Sequence, residues 1–432
     1  MGDVLLLNIS NRLFLYASGY VGVAILTQVV VTWSMYFYAP PEGVGRVAYV
    51  PISIFGLILG VSRVIDALTD PLIANWSDHF RSRWGRRIPF MAFGALPLCV
   101  CFALLWTPPV EGYASLNNLY LFLVAGGFFL FMTMVNCPFL ALLPEIAAPK
   151  ERITASSLLG IAYVLGLLVG TAGSAFLIDK YRFAVMGVVL GFFSLVSFYT
   201  PVFTVREKTR PLDEDVEKPR FKQSLVEVLG NEAFRPFIIG QVFFWFAFNL
   251  MLMGLPYIIT IRMGLEEENT GYALALALLT TLISFPLIAL LARKLGKKRT
   301  LQLVMLLSCG VLAALGTIGF WPVPLTPGTQ SMVVVIFSGI PLAGLFLLPN
   351  ALIADIADYD ATGSGRRREA MFYALNGMVM KSSIGISSLF LGQMLHHLGY
   401  HYENPLGVYL IAPMAIVSIA AGLLFFRKYP LT

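Results

Sequence analysis

The 432-residue sequence is short of charge. Asp, Glu, Lys and Arg make up 12% of it against 58% hydrophobic residues, where soluble domains carry about a quarter charged residues. That shortage excludes a soluble globular chain. Cysteine is scarce as well: Cys99, Cys101, Cys137 and Cys309 stand in apolar stretches without metal-ligand spacing, so they read as packing residues and leave the redox compartment open. No glycine-rich phosphate loop of the Walker type occurs, which argues against an ATP-driven pump. No soluble signalling domain and no nucleophile–base pair is visible, so a membrane receptor or enzyme would lack its working part. Histidine is confined to His79 and to His396, His397 and His401, the last three read as interfacial residues and not as a metal site.

What the chain has is apolar length. Windows of about 20 apolar residues, enough to cross ~30 Å of hydrocarbon, recur throughout. Twelve can be placed, at about 12–38, 49–76, 89–107, 118–143, 154–178, 183–205, 235–262, 270–294, 299–321, 330–356, 370–397 and 405–427. A charged break at 206–234, containing Pro211 and Pro219, has the composition of a linker. It divides the chain into an N-terminal bundle (1–205) and a C-terminal bundle (235–432).

The net charge of +6 reports topology, because the basic residues crowd into short loops between spans. With the N-terminus inside, the inner loops hold Arg81, Arg83, Arg86, Arg87, Lys150, Arg152, the basic residues of the linker and of 293–299 and 366–368, and Arg427 with Lys428. The outer loops hold only Arg46, Lys180, Arg182 and Arg262. Both termini are therefore expected in the cytoplasm. The first span lacks a basic n-region and is too long for a signal-peptide core, so it reads as an uncleaved helix.

The stretch 61–89, VSRVIDALTDPLIANWSDHFRSRWGRRIP, places Arg63, Asp66 and Asp70 within an apolar segment. On a helix Asp66 and Asp70 share one face, with Arg63 on the same flank. A charge at the bilayer centre costs at least ~2.5 kcal/mol, so three within two turns require partners, a wet cavity or a bound ion. A structural Arg–Asp cluster accounts for one carboxylate and leaves the second without a counter-charge. We read the group as a cation site. The turn SRWGRR (82–87) after the second span and KLGKKR (294–299) after the eighth form a weak internal repeat. A short glycine-plus-basic loop also arises by chance under the positive-inside bias; together with the six–linker–six layout, the repeat points to a two-bundle transporter architecture with a site near the midplane between the halves.

The loop 78–87 resembles the conserved cytoplasmic loop of the major facilitator superfamily. More narrowly, SRVIDALTDP (62–71), SRWGRRIPF (82–90), CPFLALLPEI (137–146) with ERITASS (151–157), and ADIADYD followed by RRREAMFYALNGMVMKSS (354–383) resemble the glycoside–pentoside–hexuronide:cation symporters. The resemblance runs from the first span to the last. It implies an all-α membrane protein with the major facilitator fold, 12 transmembrane helices in two six-helix bundles and both termini cytoplasmic. It also implies a transporter in the cell membrane and not an enzyme, with no cofactor beyond a coupling ion, Na+ or H+. Its partners would be the bilayer and a small solute, a sugar or glycoside, with no nucleic acid, and it would act as a monomer.

In that family the two helix-2 acids form the cation site, and they match Asp66 and Asp70. A helix-4 Thr and Asp, three apart, complete the site in the melibiose-transporting members; here Thr133 and Asn136 match, ahead of Pro138 and Phe139, and the helix-11 lysine falls on Lys381. With Asn at 136, and with Arg63 paired elsewhere, Asp66 and Asp70 against Lys381 leave a single net negative charge. The sugar contacts depart further. Span 12–38 has no Asp or Glu, and the helix-5 arginine position falls at or near Gly160. A lysophospholipid or other amphiphile is therefore the alternative substrate.

Polar and aromatic residues within spans are candidates for a substrate cavity: Tyr20, Thr27, Gln28, Gln241, Trp245, Asn249, Asn350 and Asn376. Trp245 and Asn249, at i, i+4, offer an aromatic face beside an amide, while the plain alternative for each amide is a hydrogen bond joining helices. Asp355, Asp358 and Asp360 followed by Arg366, Arg367 and Arg368 are matched in the first half by a cluster of Asp78, Arg83, Arg86 and Arg87. These are the expected cytoplasmic gate. The alternative is solvated ion pairs worth under ~1 kcal/mol each.

Overall fold

The computed structural model describes residues 9–80, 82–147, 151–205, 207, 227–322, 324–364 and 369–430. Two compact units divide the chain, Met1–Pro40 with Gly45–Leu212 and Pro41–Val44 with Asp213–Thr432. All regular structure among the described residues is helical.

The first unit holds α1 (Ile9–Tyr38), α2 (Ile52–His79), α3 (Ile88–Leu104), α4 (Ser115–Ile146), α5 (Arg152–Leu168), α6 (Ser174–Tyr181) and α7 (Phe183–Thr204). A single π-helical turn, Val169–Gly173, joins α5 to α6, so the two make one span. The second unit holds α8 (Phe234–Tyr257), α9 (Asn269–Leu295), α10 (Lys297–Gly316), α11 (Pro327–Ser364), α12 (Glu369–Leu398) and α13 (Leu406–Phe426). Eleven helices among the described residues are long and apolar enough to cross a membrane, and α3, with 17 residues, lies at the short end of spanning lengths.

The expected spans fall on these helices, with departures at the ends. α11 runs to Ser364, eight residues past the expected 356, and its 38 residues extend about 57 Å, well beyond a ~30 Å hydrocarbon layer. Hydropathy ends where Asp355 begins, whereas the helix continues because its backbone bonds do not require apolar side chains. α10 stops at Gly316, short of the expected 321, where the chain turns through Gly319 at φ 89° and its N–H reaches Gln330 Oε1 at 2.8 Å.

The two units pack alike. In the first, α1 packs on α5 and α7, α4 on α2 and α3, and α3 on α7; in the second, α8 packs on α12 and α13, α11 on α9 and α10, and α10 on α13. These are the same pairings in the same order, which gives structural substance to the basic-turn repeat.

Burial runs opposite to that of a water-soluble helix. On α2, Val61, Val64, Leu68 and Leu72 form an exposed stripe at helical spacing, while Ser62, Arg63 and Asp66 are buried. Lipid solvates the apolar stripe, and the polar stripe turns into the bundle. Close approach of α5 to α1 depends on Gly166, where an added Cβ would come within 2.5 Å of the Val21 carbonyl oxygen and 2.6 Å of Ala24 Cβ.

Gly166→Val is expected to wedge α5 from α1 and lower stability by about 1–3 kcal/mol, the usual effect of overpacking. Thermal unfolding in detergent reads it, and an unchanged transition would show that the contact is not tight.

Candidate functional site

Four side chains from two helices converge in the first unit. Asp66 and Asp70 lie one turn apart on α2, and Thr133 and Cys137 lie one turn apart on α4, the helix that packs against it. Thr133 Oγ1 stands 2.6 Å from Asp66 Oδ1 and 3.0 Å from Asp70 Oδ1. The Cys137 thiol donates to Asp70 Oδ1 at 3.4 Å. Thr133 and Asp66 are buried, at 0% and 1% exposure, and Asp70 is half-buried.

Arg63 closes the far side of the group. Its guanidinium, 5% exposed, lies 3.2 Å from Asp66 Oδ2 and 3.9 Å from the centroid of the Phe129 ring. A buried cation needs such partners on several sides, and the ring face supplies one without a second carboxylate. The charge count against Lys381 held only with Arg63 paired elsewhere, and that condition is not met: Arg63 faces Asp66. The formal charges of these three side chains, Arg63 at +1 with Asp66 and Asp70 at −1 each, sum to −1.

The other expected members fall differently. Asn136 bonds neither carboxylate, and its Oδ1 is buried without a hydrogen-bond partner. Cys137, expected to be a packing residue, takes the place beside Asp70 instead. Lys381 is half-buried on α12 in the second unit.

Among the cavity candidates, Tyr20 lies between Tyr163 and Phe139, with ring centroids 5.1 Å and 5.8 Å away. The Gln28 amide bonds Thr32 of its own helix at 3.0 Å. In the second unit Asn249 donates to the Trp245 carbonyl one turn back at 2.7 Å, so its amide is held by its own helix and not set beside the indole. Trp245 Nε1, Gln241 Oε1 and Asn376 Oδ1 are buried without partners. Asn350 is exposed, and its carbonyl accepts from the Tyr373 hydroxyl at 3.2 Å. Gly160 faces open space.

Charged clasps form at the basic turn of each unit. Glu207 Oε2 accepts the backbone N–H groups of Arg86 and Arg87 at 2.8 and 2.9 Å, and Glu145 Oε1 stands 2.8 Å from Arg86 Nη2 and 3.2 Å from Arg87 Nη1. Gly85, at φ 107°, makes room for this, since a Cβ there would strike the Glu207 carboxylate. In the second unit Lys297 holds Asp355 at 2.6 Å. Arg83 lies over the Trp84 ring at 5.6 Å, and Asp358 is exposed. Arg366 and Arg367 and the side chain of Asp78 lie outside the described residues. The acids that hold Arg86 and Arg87, Glu145 and Glu207, had not been singled out in the sequence. Glu207 falls where the linker was expected to begin, and nothing local marks a linker glutamate as returning to the turn.

A family model described as MFS/sugar transport protein matches residues 15–432. The chain belongs to this family. An uncharacterised symporter of Synechocystis sp. is 25% identical to it over 525 residues, covering 96% of this chain and 93% of that one. The isoprimeverose transporter of Lactiplantibacillus pentosus is 23% identical, over 86% of this chain and 77% of its own. The sodium-dependent lysophosphatidylcholine symporter 1-A of Danio rerio is 24% identical, over 87% and 78%. In fold, the chain is similar to a bacterial homolog of the human lysosomal transporter Spinster, with a TM-score of 0.69 at 13% identity, covering 99% of this chain and 98% of that one.

Membership of the MFS/sugar transport family makes this a multi-pass membrane protein, and its buried charges have to be read accordingly. Arg63→Met is expected to destabilise by about 3–5 kcal/mol, because it removes the cation facing a buried carboxylate. Adding Asp66→Asn should restore most of that loss. A double-mutant cycle on detergent-solubilised protein measures the coupling, and additive effects would mean that the bridge carries none.

Glu145 sits past the end of its span, which closes at Leu143. Burial lifts its carboxyl above the usual range; Arg87 opposes the lift, Glu207 adds to it and Arg86 opposes it. The folded clasp therefore holds a proton more firmly than the unfolded chain does. Its contribution is fully present below the ordinary carboxylate pKa and is lost as pH rises through the raised native value. The shift in transition temperature across that window should be small, since the clasp is partly solvated, and Glu145→Gln should flatten it. A pH series of melting curves checks this, and an equal slope in the variant would clear Glu145 of the effect.

Proposed function

We propose that this protein is a secondary active symporter coupling one monovalent cation, Na+ or H+, to the passage of a small solute by alternating access. In this reading twelve spans cross the membrane with both termini in the cytoplasm. Asp66, Asp70 and Thr133 form the cation site, with Asn136 and Lys381 as its family-implied members.

The observation that carries the reading is the convergence of two carboxylates on one hydroxyl: Thr133 Oγ1 stands 2.6 Å from Asp66 Oδ1 and 3.0 Å from Asp70 Oδ1, and a hydroxyl has a single hydrogen to donate. A monovalent cation suits this group: a proton on Asp70 would donate toward Thr133, and a Na+ would find hard oxygen ligands. Coupling then follows from linkage, since a cation that favours solute binding is itself favoured by the solute to the same degree.

A sugar or glycoside is the preferred solute. Tyr20, Gln28, Trp245, Asn249, Asn350 and Asn376 are its candidate contacts, and the unpartnered Trp245 Nε1 and Asn376 Oδ1 are the strongest support, because buried polar atoms are normally satisfied. An amphiphile is the second reading, and a specific feature favours it. The second unit carries a half-open pocket of about 150 Å³ lined by residues such as Phe244, Phe248, Leu252, Val334, Leu342 and Leu345. Its two serines, Ser308 and Ser338, spend their hydroxyls on their own helices, leaving almost only carbon toward the space. The clasps at Arg86, Arg87 and Asp355 are assigned to the cytoplasmic gate, together with Asp78, Arg83, Asp358, Arg366 and Arg367.

In proteoliposomes carrying a Na+ or pH gradient, the protein is expected to accumulate one of isoprimeverose, simple glycosides or lysophosphatidylcholine. Asp66→Asn and Asp70→Asn should each abolish accumulation. Concentrative uptake by either variant would overturn the cation-site assignment, and preference for the lysolipid would select the second reading.

A further inference from the structure

We propose that Cys137 is a specificity-determining residue of the cation site, holding a position that disfavours Na+ because it presents sulfur where an oxygen would complete the ligand set. The inference rests on the cation-site reading above. Asp70 Oδ1 accepts from two groups of α4 one turn apart, Thr133 at 3.0 Å and Cys137 at 3.4 Å. The sulfur thus stands against the same oxygen that Thr133 brings to Asp66.

The two α4 groups are not equivalent toward a metal cation. A hydroxyl can donate its hydrogen to a carboxylate and still offer a lone pair on a hard oxygen. A thiol donates more weakly, and its sulfur is a soft ligand, poorly matched to hard cations that select oxygen. Cys137 therefore donates to Asp70 without adding a hard ligand for Na+. Asn136, one residue earlier, has the oxygen that Na+ would take, but that oxygen bonds neither carboxylate and lies buried without a partner. The site as built holds three oxygens from Asp66, Asp70 and Thr133, and sulfur at the next position.

The test is a Na+ titration of the purified full-length protein at one pH and constant ionic strength, with choline replacing Na+, read as the shift in thermal unfolding. Cys137→Ser is expected to lower the half-saturating Na+ concentration at least about fivefold, the worth of one added net polar contact. Cys137→Ala should give no gain. Cys137→Thr, which brings the same hydroxyl on a different side chain, should follow the serine variant and replaces it if that variant does not fold. Hydroxyl variants with the Na+ midpoint of the wild type or of Cys137→Ala would overturn the proposal. Asp70→Asn separates the two levels of argument: a Na+ response that survives it overturns the cation-site reading itself, whereas a response lost in Asp70→Asn and unmoved in Cys137→Ser overturns only the role of Cys137.

Discussion

A carboxylate in the middle of a hydrocarbon layer has to be matched by charge and hydrogen bonds supplied from the protein, since lipid offers neither. Asp66 meets that demand twice over, through Arg63 on its own helix and through Thr133 on α4. Arg63 in turn is held between that carboxylate and the face of Phe129. The constraint reaches outward from there. α2 has to present Val61, Val64, Leu68 and Leu72 to lipid so that its polar stripe can face α4, and α4 has to pack against that stripe over much of its length.

The two units share a packing plan and differ in what they bury. Each sets its fourth helix against its second and third, and each ties a basic turn to an acid on that fourth helix, Glu145 on α4 and Asp355 on α11. The first unit spends this frame on ionised groups. The second spends it on a carbon-lined pocket and on a few polar atoms left unpartnered at Gln241, Trp245 and Asn376. In the proposed function, one architecture would hold a small cation in one half and offer surfaces to a larger and less charged molecule in the other. That division is what a coupled carrier requires, because cation and solute need different surroundings yet must influence each other through one conformational equilibrium.

Hydropathy alone located the helices, because crossing a membrane demands a fixed apolar length that leaves its mark residue by residue. The i, i+4 spacing by itself puts Asp66 and Asp70 on one face. Helix ends were less legible. α11 continues through Asp355, Asp358 and Asp360 because backbone hydrogen bonding does not stop at the hydrocarbon boundary.

Which neighbours meet across helices was decided by tertiary structure. From Thr133, both Asn136 and Cys137 lie near the same helical face, one to either side of it, and only the way α4 crosses α2 brings Cys137 and not Asn136 to Asp70. The same holds for Arg63, which could have turned toward another helix, for Asn249, which folded back onto the Trp245 carbonyl, and for Glu207, which returned to grip the turn at Arg86 and Arg87. Composition and period along one chain determined the spans and the shared face of the two acids, and the resemblance of four short motifs pointed to the family. The partners of those acids depend on inter-helix angles and distances of a few ångströms, which arise from the packing of all the helices of a unit together and are written in no single segment of it.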